Sequence, residues 1–434
     1  MKTKKLIAIA LTTIMTLSMA GCGTTSKKSA TTTSTNKKLV IWAWDGTFNV
    51  VAAKEAKAIY LKDHKGVDVQ IVEMAQADIV QKLNTNLSSN TTAGLPNIVL
   101  IEDYRSQNFL TSYPDAFKDM SSKVKTTDFM DYKLKPDSLD GKLYGVPFDS
   151  GVAALFYRTD LIEKAGYKKS DMENITWEKF IQIGNAVKAK TGKAMLTLDP
   201  NDLGIIRVMM QSAGQWYVKE DGKTVNLENN QALKESIKIY KQLMESGIVK
   251  QISDWDQYVS AFQKGDVASV PTGCWISSSI TKATDQNKKW AVASIPRLGA
   301  VKTSVNSSSI GGSSWYVLDK VGDSELASDF LAKTFGSNKE LMNTLAQKIN
   351  LISTLKASST TSNYQKPVEF YGGQKVPQDL SKWTSKVPPV NYGLYTYSIE
   401  DMLTGTVQSI VKSGANIDTA LKDAQKQAES AVVK

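Results

Sequence analysis

The sequence predicts an α/β protein of more than one lobe. Three observations carry that prediction. Short apolar runs alternate with stretches whose apolar positions recur at helical spacing. Polar or aromatic residues sit where the runs hand over to loops. The length, 434 residues, suits about two or three domains.

The elements follow in order. Residues 39–44 (LVIWAW) form an apolar run that ends at Asp45-Gly46, the signature of a buried strand. Residues 50–62 continue with helical spacing. Val67, Val69 and Ile71 alternate with Asp68, Gln70 and Val72, as a half-buried strand would. Residues 78–87 form a second amphipathic helix, and residues 97–101 a strand running into Glu102-Asp103-Tyr104-Arg105. This strand–helix alternation argues for a mainly parallel sheet.

Residues 142–147 and 151–157 are extended, with Asp149-Ser150-Gly151 as a loop between them. Thr176 suits the N-cap of a helix over 177–190, with Glu178 in its first turn. A strand over 195–198 ends at Asp199-Pro200, and a helix over 203–210 follows. Leu233, Ile237, Tyr240 and Met244 mark one helix face, which Gly247 would terminate. Strands over 267–270 and 292–295 are closed by Pro271 and Pro296. Residues 314–318 form another strand, and 324–335 and 418–433 are helices.

The composition narrows the function. There are 53 Lys+Arg against 43 Asp+Glu, a net charge of +10, one histidine and two cysteines. A basic balance suggests a nucleic-acid partner. Here residues 1–38 hold seven lysines and no acidic residue, which leaves +3 for the remainder, so no nucleic-acid partner is expected. A multi-cysteine zinc site, a CxxC pair or a disulfide framework has no residues to build it. No metal or cofactor is expected. Cys274 reads as a small buried apolar residue, and His64 as a solvated helix end.

The amino-terminal end reads as an address. Residues 1–5 are basic and residues 6–19 apolar, a stretch too short for a spanning helix but suited to a signal-peptide core. Met19-Ala20-Gly21-Cys22 resembles a bacterial lipobox. That resemblance implies a signal peptide over 1–21, cleavage before Cys22 and acylation of its thiol, as by palmitate. Acyl chains would anchor the protein by burying CH₂ groups. The alternative is an ordinary secreted protein with a stray cysteine. Residues 22–38, rich in Ser, Thr and Lys, read as a flexible tether.

In open α/β sheets the carboxyl ends of strands line the binding crevice. Trp44-Asp45, Glu102-Asp103, Asp199 and Trp275 sit at such ends, and a crevice shared between lobes is the natural site. Flat indole rings stack on the C–H face of a pyranose, and a carboxylate can hold two neighbouring hydroxyls. Asp45, Asp103 and Asp149 each follow a strand, so each suits either sugar binding or a turn or cap. Arg105, Asp202, Trp255 and Trp315 are further candidates; Asp202 could equally cap the helix after it. Trp42, Trp177 and Trp290 read as packing residues.

Several motifs resemble one family. Leu155-Phe156-Tyr157-Arg158-Thr159-Asp160-Leu161, running on to Ala165-Gly166, and Ile175-Thr176-Trp177-Glu178 carry part of the resemblance. Phe262 to Val270 followed by Thr272-Gly273-Cys274-Trp275, then Ile295-Pro296 and Gly311-Gly312-Ser313 to Trp315, carry the rest. They resemble the extracellular solute-binding proteins of bacterial ABC sugar importers, the class of maltose-binding protein. Ile41-Trp42-Ala43-Trp44-Asp45, Ile101-Glu102-Asp103-Tyr104 and the run from Gly145 to Gly151 are similar to the subgroup for lactose and arabino- or xylo-oligosaccharides.

The resemblance implies a two-lobed, type II periplasmic-binding-protein-like fold with a hinge and a central cleft. The N-terminal lobe would take residues 39–147 and 298–352, and the C-terminal lobe 148–297 and 353–434. Crossings would fall at 147–151, 295–298 and 350–353. Trp275 matches the family's pocket tryptophan, and Trp216 a position where the family often has a pocket residue. The implied function is a binding lipoprotein, a monomer without catalytic residues. It would close over an oligosaccharide and deliver it to the membrane permease of an importer from the outer face of the cytoplasmic membrane. A glycoside hydrolase, since its clefts also combine Trp and carboxylates, and a surface sugar sensor are the alternatives.

Overall fold

The structure, a computed structural model, describes residues 37–432. The expected signal peptide, Cys22 and nearly all of the expected tether lie outside the described residues. Besides a short hairpin of Ser138–Leu139 with Lys142–Leu143, the strands are β1 (Lys37–Ala43), β2 (Val67–Glu73), β3 (Ile98–Glu102), β4 (Gly145–Asp149), β5 (Ala153–Arg158), β6 (Leu196–Leu198), β7 (Val249–Gln251), β8 (Ser269–Gly273), β9 (Trp290–Ser294) and β10 (Ser313–Val317). The first strand takes in the last two residues of the expected tether, Lys37 and Lys38.

One sheet runs β2-β1-β3-β10-β4. Its strands alternate faces, as a period of two requires. Leu39, Ile41 and Ala43 pack with Ile98 and Leu100 on one side; Trp42, Val99 and Ile101 pack on the other. Helix Asn49–Tyr60 covers the first side with Val50, Ala53, Ala56 and Tyr60, which recur every three or four residues. The expected mainly parallel sheet is in fact mixed. β1 pairs in parallel with β2 and β3, but β10 runs antiparallel to both β3 and β4. It arrives from the other lobe, about 200 residues after β3 in the chain, and so enters the sheet from the opposite end.

The second sheet runs β8-β5-β9, all antiparallel, beside the parallel pair β6–β7. Ala153, Leu155 and Tyr157 face the larger core with Trp177, while Ala154 and Phe156 face another with Trp290. Trp42, Trp177 and Trp290 are all buried. Pro271 lies inside β8 and does not close it. β8 is at the sheet's edge, where a missing N–H is tolerated. Thr176 caps helix Trp177–Thr191, its hydroxyl accepting from Lys179 N at 3.3 Å.

Three chain segments cross between the lobes side by side. Ser150 N donates to Ile352 O at 2.8 Å, and Ile310 N to Gly151 O at 2.7 Å. A Cβ at Gly151 would lie 2.5 Å from Ile310 O, so only glycine allows this approach. The middle crossing falls at about 309–312, later than the expected 295–298. Leu298 and Val301 still pack in the second lobe's core, and Val305 N donates to Ser212 O at 2.8 Å.

Beside the crossings lies a buried charge cluster. Lys133 Nζ reaches both oxygens of Asp103 at 2.6 and 2.7 Å and Ser313 O at 3.0 Å. Asp149 Oδ1 accepts from Ser313 N and Oγ at 2.7 and 2.6 Å. Asp137 accepts from Ser314 Oγ and Tyr316 OH, each at 2.7 Å. Burial pushes the Asp103, Asp137 and Asp149 carboxyls up, against the pull of Lys133.

Candidate functional site

A cavity of about 810 Å³ opens between the two lobes. The first lobe contributes the carboxyl ends of β1 and β3 and the starts of the helices after them. Asn49 Oδ1 accepts from the backbone N–H groups of Trp44 and Asp45 at 3.1 and 2.9 Å, which fixes the loop that carries the indole. Asp45 Oδ1 is taken up by Thr47 N and Phe48 N at 2.7 and 3.0 Å, so this carboxylate holds its turn as well as lining the cleft. Glu102 lines the cleft and accepts from Tyr397 OH at 2.7 Å.

The second lobe supplies Asp199, Asp202, Trp255 and Trp275. Asp199 Oδ1 accepts from Asn201 N at 2.8 Å, and Asp202 Oδ1 from Gly204 N at 2.7 Å, at the start of helix Gly204–Ser212. Each keeps a second oxygen for other donors. Trp275 Nε1 donates to Ile310 O at 3.1 Å, which ties the ring to the middle crossing. Asp149 lines the cleft at the hinge.

Four expected site residues lie elsewhere. Asp103 is fully buried against Lys133, because the helix Asp103–Ser112 begins at that residue and turns its side chain inward. Trp315 faces into the first lobe, packed between Phe148 and Phe335, since β10 continues through it and alternation decides its side. Trp216 is buried against Tyr104, its Nε1 donating to Thr396 Oγ1 at 2.9 Å. Arg105 stacks over the Tyr397 ring at 4.1 Å and does not line the cavity. His64 stacks flat on Tyr60 and is half-buried, not fully solvated. Cys274 is buried as expected, its thiol donating to Ser150 O at 3.1 Å.

The sequence reading missed Tyr104, Arg207 and Tyr258 in the cleft wall. Arg207 had a signal: it is the lone charge in the otherwise apolar run Ile205–Met210. Its guanidinium lies 3.1 Å from Glu400 and 3.3 Å from Asp202. Burial pushes the Glu400 carboxyl from its ordinary 4.5 up to about 7, against the pull of Arg207. The native state therefore holds this proton more tightly than the unfolded chain. The resulting stability is complete below about pH 4.5 and is lost as the pH rises to about 7. Glu400→Gln is expected to remove roughly 1–3 kcal/mol of that fall. Denaturant unfolding across this window checks it; parallel curves for the two proteins would sink the assignment.

Residues 55–371 match the family model for bacterial extracellular solute-binding proteins. The chain is 42% identical over 391 residues to the lactose-binding protein of Rhizobium radiobacter, covering 90% of this chain and 92% of that one. It is 27% identical over 361 residues to an arabinooligosaccharide-binding protein of Bacillus subtilis, covering 80% of each. A solved ABC-transporter-associated binding protein from B. animalis subsp. lactis, in complex with β-1,6-galactobiose, has the same fold. Its TM-score is 0.73 at 21% identity, over 91% of this chain and 97% of that one.

Proposed function

The chain belongs to the bacterial extracellular solute-binding protein family, and from that premise we propose that it captures an oligosaccharide between its lobes and hands it to the permease of an ABC importer. One observation carries the proposal: Trp44 from one lobe and Trp255 and Trp275 from the other line a single cavity together with the carboxylates of Asp45, Glu102, Asp199 and Asp202. Indole faces stack on sugar rings, and carboxylates take pairs of hydroxyls. A sugar that touches both walls favours the closed state. The relatives named for lactose and arabino-oligosaccharides support sugar as the ligand class.

In this reading the first lobe comprises about 37–149 and 310–352, and the second about 150–309 and 353–432. Family membership puts the chain in an extracellular or periplasmic compartment. The finer reading is a monomer held at the outer face of the cytoplasmic membrane. The segment over 1–21 is a signal peptide, Cys22 carries the acyl chains, and the residues after it form a tether. No catalysis is part of the reading. Asp149 Oδ1 is taken up by Ser313 N and Oγ at the hinge.

One preparation tests both halves. The full chain is expected in the membrane fraction when expressed with its leader, and in the soluble fraction as Cys22→Ser. The soluble form is expected to melt about 3 °C higher in lactose, galacto- or arabino-oligosaccharides at about 100 times Kd, because sugar binds only the folded state. New reducing ends on incubation would favour hydrolysis instead.

A further inference from the structure

Trp255 has an arrangement that the capture of a short sugar leaves unexplained. It is 54% exposed, against the near-complete burial of Trp177, Trp216, Trp290 and Trp315. Leaving so large an apolar face in water forgoes the usual gain of burial. The residue is also held firmly. It opens helix Trp255–Gln263, whose N-cap Asp254 accepts from Gln257 N at 2.8 Å, and Gln257 Nε2 reaches back to Asp254 at 2.6 Å and Ser253 Oγ at 3.1 Å. Its ring packs on Tyr258 at 5.4 Å.

The neighbouring ring is Trp275. The two indole centroids are 5.9 Å apart and their planes are tilted by 39°. One flat pyranose cannot lie face-on against both. Two successive residues of a glycan, whose mean planes turn relative to one another, can take one indole each. Trp275 is the inner of the two: it is half-buried and fixed to Ile310 O at the hinge. Trp255 is the outer, at the solvent end. The shortest ligands fill the enclosed part first, where both walls remove apolar surface from water.

We propose that Trp255 is an outer stacking position that selects for glycans longer than a disaccharide. The proposal rests on sugar being the ligand class and adds the chain length to it. Trp255→Ala and Trp255→Phe, with the wild type, are titrated calorimetrically with size-fractionated galacto- and arabino-oligosaccharides of two, three and four residues. Trp255→Ala is expected to weaken the binding of three- and four-residue chains at least about fivefold more than it weakens the binding of disaccharides. Trp255→Phe, which keeps a flat ring, is expected to recover most of that loss. An equal loss at every length, or no loss at any, overturns the proposal; the second result would fit an exposed indole that meets a protein. A wild type that binds none of these sugars removes the ligand class itself, and this proposal with it.

Discussion

Replacing Lys133 by methionine is expected to destabilise the protein by about 3–5 kcal/mol, the usual consequence of removing one partner from a buried ion pair. Lys133 and Asp103 have no exposed side-chain surface, and Asp137 and Asp149 lie in the same pocket of low dielectric. Without the ammonium, Asp103 would keep a buried carboxyl with neither of its bonds to Nζ. The loss would reach beyond one pair. Lys133 Nζ also holds Ser313 O, and Ser313 in turn holds Asp149, so the helix Asp131–Asp137 and two of the crossings share this one cation. Denaturant unfolding measures the effect. Adding Asp103→Asn to the Lys133→Met chain is expected to restore part of the loss, because the uncompensated charge leaves with it. A change within about 0.5 kcal/mol of wild type would remove the cluster from the stability of the hinge.

Trp275→Ala is expected to weaken sugar binding at least tenfold, about 1.4 kcal/mol or more, while leaving the fold intact. Two contributions are lost together. In the proposed function the ring is a stacking face, and its Nε1 bond to Ile310 O sets where that face points relative to the middle crossing. Trp275→Phe separates them, since it keeps a ring and loses the N–H. Calorimetry with the sugar that gives the largest thermal shift reads the effect, and an unchanged Kd would take Trp275 out of the pocket.

The site was legible where a residue's place follows from its strand alone. Trp44 directly follows β1, Trp275 comes two residues after the end of β8, and both line the cleft. Glu102 and Asp103 show where such reading stops. They are neighbours at the same strand end, yet one lines the cavity and the other is sealed behind it, because the helix begins between them. Trp315 was misread for a related reason. The strand itself was legible over 314–318, but not which face it turns to the cleft: its alternation sends Ser314 and Tyr316 to one face and Trp315 to the other. Arg207 and Tyr258 enter the wall from helices, where no strand-end signal exists. The mixed character of the first sheet depends on the pairing of β3 with β10, a match between distant segments that no local pattern encodes.

That pairing also governs the order of assembly. β10 is neither first nor last in its sheet; it stands between β3 and β4. A chain growing from its amino terminus makes β3 and β4 early and has nothing to join them until residues 313–317 exist. Until then each presents an unpaired edge, and the second lobe's β5, β8 and β9 are complete before the first lobe is. Synthesis alone thus delays closure of the amino-terminal half. The sheet whose first strand is made earliest is the later of the two to close.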